Sequence, residues 1–228
     1  MVKQAIHISE FLRSLPLFTT LDDGALARLA GGMTAIDASK GTVLVRRGDP
    51  CVGLHVVVFG QVKVSLQTSK GDEKVVDLLG RGQSLGESAM FLDRPYRMTA
   101  EAIADSKIVH VSKATVVAEI NRNVMFAHSL IVDLSERMNH LIGHIEGYTL
   151  RSGTQRVIAF LLSQLPERTQ PGKPMITFPA QKGVIASQLN LTQEHFSRIL
   201  HDLTANGMIE VRGRAVEILD MAELRSHA

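Results

Sequence analysis

Residues 184–209 read V-I-A-S-Q-L-N-L-T-Q-E-H-F-S-R-I-L-H-D-L-T-A-N-G-M-I, and two short helical patterns flank Asn190. The second pattern opens at Thr192 and puts Gln193, Glu194, Ser197 and Arg198 on one polar face. Phe196, Ile199, Leu200 and Leu203 form its other face, apolar at helical spacing. A short helix, a tight turn and a second helix with polar first turns make a helix-turn-helix. The second helix of that unit lies in the DNA major groove, its N-terminal residues at the base edges. Asn206-Gly207 stops the pattern. Residues 209–211 and 216–219 then flank Arg212-Gly213-Arg214, a hairpin with a Gly corner and two tip arginines, which reads as a wing. Double-stranded DNA is therefore the first expected partner.

Upstream, Asn123 is placed to cap a long helix. Ile131, Leu134, Met138, Leu141, Ile145 and Tyr148 recur along it at alternating spacings of three and four, the seam of a coiled coil that wants a partner helix. Asp133, Glu136, Arg137, Asn139 and His140 keep that stripe narrow, which favours a homodimer over packing on the chain's own core. Gly153-Thr154 breaks the helix, an apolar helix follows over 155–165, then a polar loop over 166–174 and a short strand over 175–178.

Between residues 36 and 111 the text changes. Short β-branched runs at 42–45, 53–59, 61–66, 74–79, 98–103 and 108–111 are separated by Gly-rich corners such as Gly48-Asp49-Pro50, Phe59-Gly60, Lys70-Gly71-Asp72 and Gly80-Arg81-Gly82. This spacing predicts an antiparallel barrel or jelly roll. Two short helices precede it: one over 8–15 ended by Pro16, the other over 22–33 capped by Asp22 and closed by Gly31-Gly32.

Composition sets bounds on function. The 228 residues carry a net charge of +2, with 45% hydrophobic residues, 4% aromatics and no Trp, so the core is expected to be aliphatic. From Ser152 onward eight Lys/Arg stand against seven Asp/Glu, a weak surplus for a DNA-binding domain. Placement can outweigh the sum, because phosphate contacts need positive charge only at the contact face. One cysteine, Cys51, excludes an internal disulfide framework and an iron–sulfur cluster held within one chain. No stretch approaches a membrane span and no signal-peptide profile opens the chain, so a cytoplasmic protein without membrane contact is expected. An enzyme is not expected. A metal-dependent cupin needs closely spaced barrel histidines, and His55 stands alone between Gly41 and Leu85. Neither a Ser/His/Asp set nor a phosphate loop appears.

Barrel, long heptad helix and winged helix-turn-helix, in this order, resemble the superfamily of the cyclic AMP receptor protein and the fumarate and nitrate reduction regulator. The resemblance spans nearly the whole chain. Its specific pieces are Gly41-x6-Gly48-Asp49, Phe59-Gly60-Gln61-Val62-Lys63-Val64, Gly86-Glu87-x3-Phe91 and the recognition helix. It implies an α+β chain with a β-roll (jelly-roll, cyclic-nucleotide-binding-like) sensor domain at 1–121, a dimerisation helix at 122–151 and a winged helix-turn-helix domain at 152–228. In this family a Glu accepts from cytosine and an Arg four residues later reads guanine; Glu194 and Arg198 hold those places. The pattern E-x-x-S-R resembles the branch of anaerobic and denitrification regulators, whose half-site is TTGAT-like. Thr154, Thr192, Arg212 and Arg214 match places that touch phosphates. RNA polymerase is the partner expected of such a regulator.

For the sensor, the resemblance offers three readings. Cyclic-nucleotide binders hold the ribose with Gly-Glu, matched by Gly86 and Glu87, and the phosphate with Arg-Ser or Arg-Thr. Counting forward puts Arg97 at the phosphate place, followed by Met98; counting backward from the strand at 108–111 puts Tyr96 there. The adenine contacts fall on Leu141 and Ile142. Two of three anchor sets are thus degraded, which argues against a cyclic nucleotide. Pro16-Leu17-Phe18 and Met90-Phe91-Leu92-Asp93 resemble the nitric-oxide-responsive denitrification regulators, which makes haem the second reading, although residues 14–18 contain no His. His140 and His144, at the i,i+4 spacing of paired imidazole ligands, are the candidate haem or metal residues. The third reading is a regulator that needs no ligand.

Overall fold

The computed structural model describes residues 12–67, 73–165 and 174–227. The corner at 70–72, most of the loop at 166–174 and the first part of the helix expected at 8–15 lie outside them. The chain separates into two compact units, Met1–Asn139 and His140–Ala228.

The first unit opens with a 3₁₀ turn, Pro16–Phe18, and helix α1, Asp23–Gly31. Asp22 caps α1 by accepting from the Ala25 N–H at 2.7 Å. Strands β1 (Met33–Ala38), β2 (Val43–Val45), β3 (Gly53–Phe59), β4 (Val62–Gln67), β5 (Glu73–Leu79), β6 (Ser84–Leu85), β7 (Thr99–Ala102) and β8 (Ser106–Ser112) follow, with helix α2 (Glu87–Phe91) between β6 and β7. They form two antiparallel sheets, ordered β1-β8-β3-β6 and β2-β7-β4-β5, the expected β-roll. β1 begins at Met33, earlier than the expected barrel start at Ile36 and inside the span assigned to the preceding helix. Its six residues pair with Ser106 to Val111 of β8. M-T-A-I-D-A alternates too weakly to announce a strand, and the pairing with β8 decides it.

β3 is buried on both faces, which is why its text is a nearly unbroken apolar run. Leu54, Val56 and Val58 pack into a cluster with Leu12, Phe18, Leu26, Leu29, Phe126 and Leu130. Val57 faces the other way, into the roll, with Val62, Val64, Leu85, Tyr96 and Ile108. Helix α3, Lys113–Arg122, which the sequence did not announce, carries the buried Glu119. Arg28 of α1 donates to both its carboxylate oxygens, at 2.8 and 2.7 Å, and this hydrogen-bonded pair holds the Glu119 carboxyl below its ordinary range.

Helix α4, Val124–Leu150, is the long heptad helix. Asn123 caps it, its side-chain oxygen accepting from the Met125 and Phe126 N–H groups. Phe126 and Leu130 are buried in the first unit, and the boundary between the units falls within this helix. The second unit continues with α5 (Gly153–Ser163), β9 (Met175–Thr177), α6 (Lys182–Gln188), α7 (Gln193–Ala205), β10 (Ile209–Arg212), β11 (Ala215–Ile218) and α8 (Met221–Ser226). Ser152 and Gln155 close a reciprocal capping box on α5. β9 joins the wing hairpin in a three-stranded sheet, β10-β11-β9. Among the described residues no helix is long and apolar enough to cross a membrane.

Inside the β-roll, His55 of β3 and His110 of β8 are direct cross-strand partners, ring centroids 4.8 Å apart. Burial first, and the neighbouring His110 second, push His55 down to about 4, and burial lowers His110 as well. His55 is thus held neutral in the fold down to about pH 4. Unfolding restores an ordinary imidazole near 6.5, so between that value and about 4 the unfolded chain binds the extra proton. Stability is therefore expected to fall as pH drops through this window, by up to about 3 kcal/mol for His55. Urea melts of the wild type and His55→Gln at about pH 7.5 and about pH 5 check this; the variant should lose less on acidification.

Candidate nucleic-acid interface

α6 and α7 form the helix-turn-helix. The turn passes through Asn190 at φ 57°, a left-handed conformation that Asn tolerates better than most residues. Thr192 caps α7, its hydroxyl accepting from the His195 N–H at 3.2 Å. Phe196, Ile199, Leu200 and Leu203 are buried, as the periodicity requires. That burial turns the opposite face outward: Thr192, Gln193, Glu194 and Arg198 are exposed and Ser197 is half-buried. Glu194 and Arg198 stand one helical turn apart on this face. The Gln193 amide oxygen lies 2.7 Å from where a Cβ on Gly183 would stand, so its side chain lies back against α6.

The wing turns at Gly213, φ 63°. Its two arginines do different work. Arg214 donates to the Phe178 carbonyl through Nε and Nη2 (3.1 and 2.7 Å) and to the Pro179 carbonyl (2.9 Å). It clamps the chain beyond β9 to the wing. Arg212 forms a two-pronged pair with Glu210, at 3.0 and 2.9 Å, on an exposed surface. Thr154 is exposed in the first turn of α5.

Arg156, which the sequence reading did not assign, and Tyr148, which it assigned only to the heptad seam, join this unit. Arg156 of α5 donates Nη1 to the carbonyls of Leu189 (2.7 Å) and Asn190 (3.2 Å). The Tyr148 hydroxyl, at the end of α4, donates to the Gln188 carbonyl. A helix ending at an Asn turn leaves carbonyls that need donors, and that much is legible. Which distant side chain supplies them is not.

In the β-roll, Gly86 and Glu87 stand at the start of α2. Gly86 has φ 111°, and a Cβ there would meet the Gly53 carbonyl at 2.7 Å and the Tyr96 hydroxyl at 3.0 Å. Glu87 is 3% exposed; its Oε1 has no hydrogen-bond partner, and Oε2 lies 3.8 Å from Arg137 Nη1. Arg137 also donates to the Ser84 carbonyl. Burial first, then Glu87, push the nearby Asp133 carboxyl up. The two residues that the two registers offer for the phosphate place differ in burial. Tyr96 is buried, its hydroxyl 3.5 Å from the Gly53 carbonyl and 3.3 Å from His55 Nδ1, whereas Arg97 is exposed. The reason is the strand phase: β7 starts at Thr99 and buries Ala100 and Ala102, and the turn before it points the Tyr96 ring inward. Arg97 therefore brings no cation to Gly86, Glu87 and Tyr96. Leu141 and Ile142 belong to the other unit and are exposed.

His140 and His144 have ring centroids 4.2 Å apart on one helix face. Two imidazoles so placed cannot approach one iron from opposite sides of a flat macrocycle. His55 and His110 are packed on each other in the roll. Among the described residues no group of three or more His, Cys, Asp or Glu is disposed to hold a metal ion. His140 and His144 of one chain therefore do not fit as the two axial ligands of one haem.

Residues 36–123 match the cyclic nucleotide-binding domain family, and residues 155–227 the Crp-like helix-turn-helix domain family. The chain is 23% identical to the CRP-like cAMP-activated global transcriptional regulator of Mycobacterium tuberculosis, over 97% of this chain and 100% of that one. The structure of DNR from Pseudomonas aeruginosa is similar at 29% identity and TM-score 0.52, over 100% of both chains. FixK2 from Bradyrhizobium japonicum shares the fold, with TM-score 0.76 at 22% identity over 86% of this chain and 96% of that one.

The two wing arginines are expected to separate on substitution. Arg214→Ala should destabilise the second unit by about 1.5–3 kcal/mol, seen as an earlier thermal transition, because charged hydrogen bonds to carbonyls are lost. Arg212→Ala should leave the melt unchanged and lower the salt dependence of DNA binding by about one phosphate contact.

Proposed function

Since this chain belongs to the CRP/FNR superfamily of transcription regulators, we propose that it acts as a homodimer on a near-palindrome of TTGAT-like half-sites. The observation that carries this reading is the exposure of Glu194 and Arg198, one turn apart, on a helix whose other face is buried. Glu accepts from a cytosine amine, and Arg donates twice to guanine O6 and N7. Thr192, Thr154 and Arg212 lie on exposed surface where a phosphate backbone can be met. Ser197 and Gln193 complete the face, and the E-x-x-S-R pattern with the likeness to DNR supports the denitrification branch.

The dimer reading rests on the seam. In the single chain Ile131 is 61%, Met138 58% and Ile145 62% exposed, with Leu141 also exposed and Leu134 and Tyr148 half-buried. Apolar side chains at heptad spacing, left in water, gain by facing a second copy. Under this reading residues 122–151 serve as the dimer helix between a sensor at 1–121 and a DNA-binding domain at 152–228, in the cytoplasm, with RNA polymerase as the further partner.

Control then runs through the β-roll. A cyclic phosphate is disfavoured there, because Tyr96 takes the place where the family has arginine and Glu87 keeps an unpaired buried oxygen beside it. The relative from Mycobacterium tuberculosis is described as cAMP-activated; this roll suits an effector that donates hydrogen bonds, or none at all.

Arg198→Ala is expected to cost about 1–3 kcal/mol on a TTGAT palindrome and to relax the preference at one base pair of each half-site. Gel-shift titrations against the palindrome and single-base variants read both. An unchanged preference in Arg198→Ala would remove the assignment of α7 as the reading helix.

A further inference from the structure

The last carbonyls of α6 are held from outside the helix-turn-helix. Gln188 is capped by the Tyr148 hydroxyl from the last turns of α4. Leu189 and Asn190 are capped by the Arg156 guanidinium from α5. Within the turn, the N–H groups of Leu189, Asn190 and Leu191 already return to Ile185, Ser187 and Ala186. Those three N–H groups are thus not the donors to these carbonyls, which two distant side chains reach. α5 also begins in close contact with the same region. A Cβ on Gly153 would stand 3.2 Å from His195 and Leu191 and 3.4 Å from Ile199.

We propose that Tyr148 and Arg156 are positioning residues for DNA recognition, joining the end of the long helix to the turn that aims the recognition helix. Neither residue needs to touch DNA for this. A cationic fork at a helix C-terminus offsets the partial negative charge there as well as bonding its carbonyls. Asn190, held in a left-handed conformation between the two clamped carbonyls and Leu191, is the pivot from which α7 departs. Freeing the Gln188 carbonyl leaves α6 and α7 folded but lets that pivot vary. The first two turns of α7, with Glu194 and Arg198, then lose fixed aim. Base contacts depend on aim, because bidentate pairs tolerate little displacement, whereas phosphate contacts are far more forgiving. Tyr148 occupies the last position of the α4 seam, so the same side chain that takes part in the helix's apolar stripe also grips the turn.

The inference rests on the DNA-reading role proposed above, and the test separates the two. Tyr148→Phe removes one hydroxyl and keeps the ring. Arg156→Gln removes the fork, and Arg156→Lys keeps the charge with one point donor. Each full-length variant is titrated on a duplex with two TTGAT half-sites and on a scrambled duplex of equal length. Thermal melting and sedimentation monitor fold and dimer, and amide exchange of residues 186–196 is followed without DNA.

Tyr148→Phe should lower the ratio of specific to scrambled affinity by about three- to tenfold, the worth of the one hydrogen bond removed. Scrambled affinity, melting and sedimentation should stay at wild-type values, and exchange across the turn should quicken. Arg156→Lys should recover part of the ratio lost in Arg156→Gln. An unchanged ratio with unchanged exchange in Tyr148→Phe overturns the proposal. So does a fall in specific and scrambled affinity together with the melt, which is general destabilisation. If the wild type shows no preference for the palindrome, the DNA-site reading fails, and the exchange comparison alone still decides whether Tyr148 holds the turn.

Discussion

The winged-helix unit depends on how Phe178 is held. Its ring packs between Phe160 of α5 and Phe196 of α7, with centroids 6.4 and 6.0 Å away. Its N–H donates to the Arg214 carbonyl at 2.8 Å, and its own carbonyl accepts from the Arg214 side chain. One residue just past a three-residue strand thus ties together the supporting helix, the recognition helix and the wing. Aromatic rings at such separations contribute beyond their buried area, and the backbone bonds fix the ring's position. With so few aromatic residues in the chain, three of the eight Phe gather here. The exposed face of α7 follows from this packing, since an amphipathic helix pinned by Phe196, Ile199, Leu200 and Leu203 has only one face to offer.

The β-roll obeys a similar constraint. β3 is buried on both sides, so it cannot alternate polar and apolar residues, and its one polar side chain, His55, must find a place within the roll. It does so against His110 and Tyr96. Burial drives the Tyr96 phenol upward, with the hydrogen bond to Cys51 adding to it, and the ring stays neutral. His55, His110 and Tyr96 thus gather hydrogen-bonding groups beside Gly86 in the roll. Arg137 reaches Glu87 at 3.8 Å, Asp77 at 3.4 Å and the Ser84 carbonyl.

Much of this was legible in the text. The wing, the turn at Asn190, the Asp22 and Asn123 caps and six of the strands follow from period, cap chemistry and Gly corners, because those signals are local. β1 and β6 were not announced, since pairing with β8 and β3 decides them rather than their own residues. α3 was missed because K-A-T-V-V-A-E-I-N-R mixes β-branched residues with a weak stripe, and burial of Val116 and Glu119 settles it. Tyr96 and Arg97 differ by one residue, and near a strand such a shift is a change of face, which leaves Tyr96 buried and Arg97 exposed. Arg214 was legible as a wing-tip cation but not as a clamp, because its acceptors lie over thirty residues away.

The thin positive surplus of the DNA-binding unit takes on meaning from the same contacts. Arg214 is spent on carbonyls, Arg156 on the turn and Arg212 on Glu210. Nonspecific affinity grows with the number of phosphates neutralised. A unit that turns Arg214 and Arg156 onto its own carbonyls and pairs Arg212 with Glu210 at the surface therefore holds less of it. On the proposed reading, selectivity then rests on the few base contacts from α7 and on two such helices acting at once. On that same reading the aim of α7 matters more than its charge, and Phe178 against Phe196, with Arg156 and Tyr148 on the turn before α7, are the contacts that bear on it.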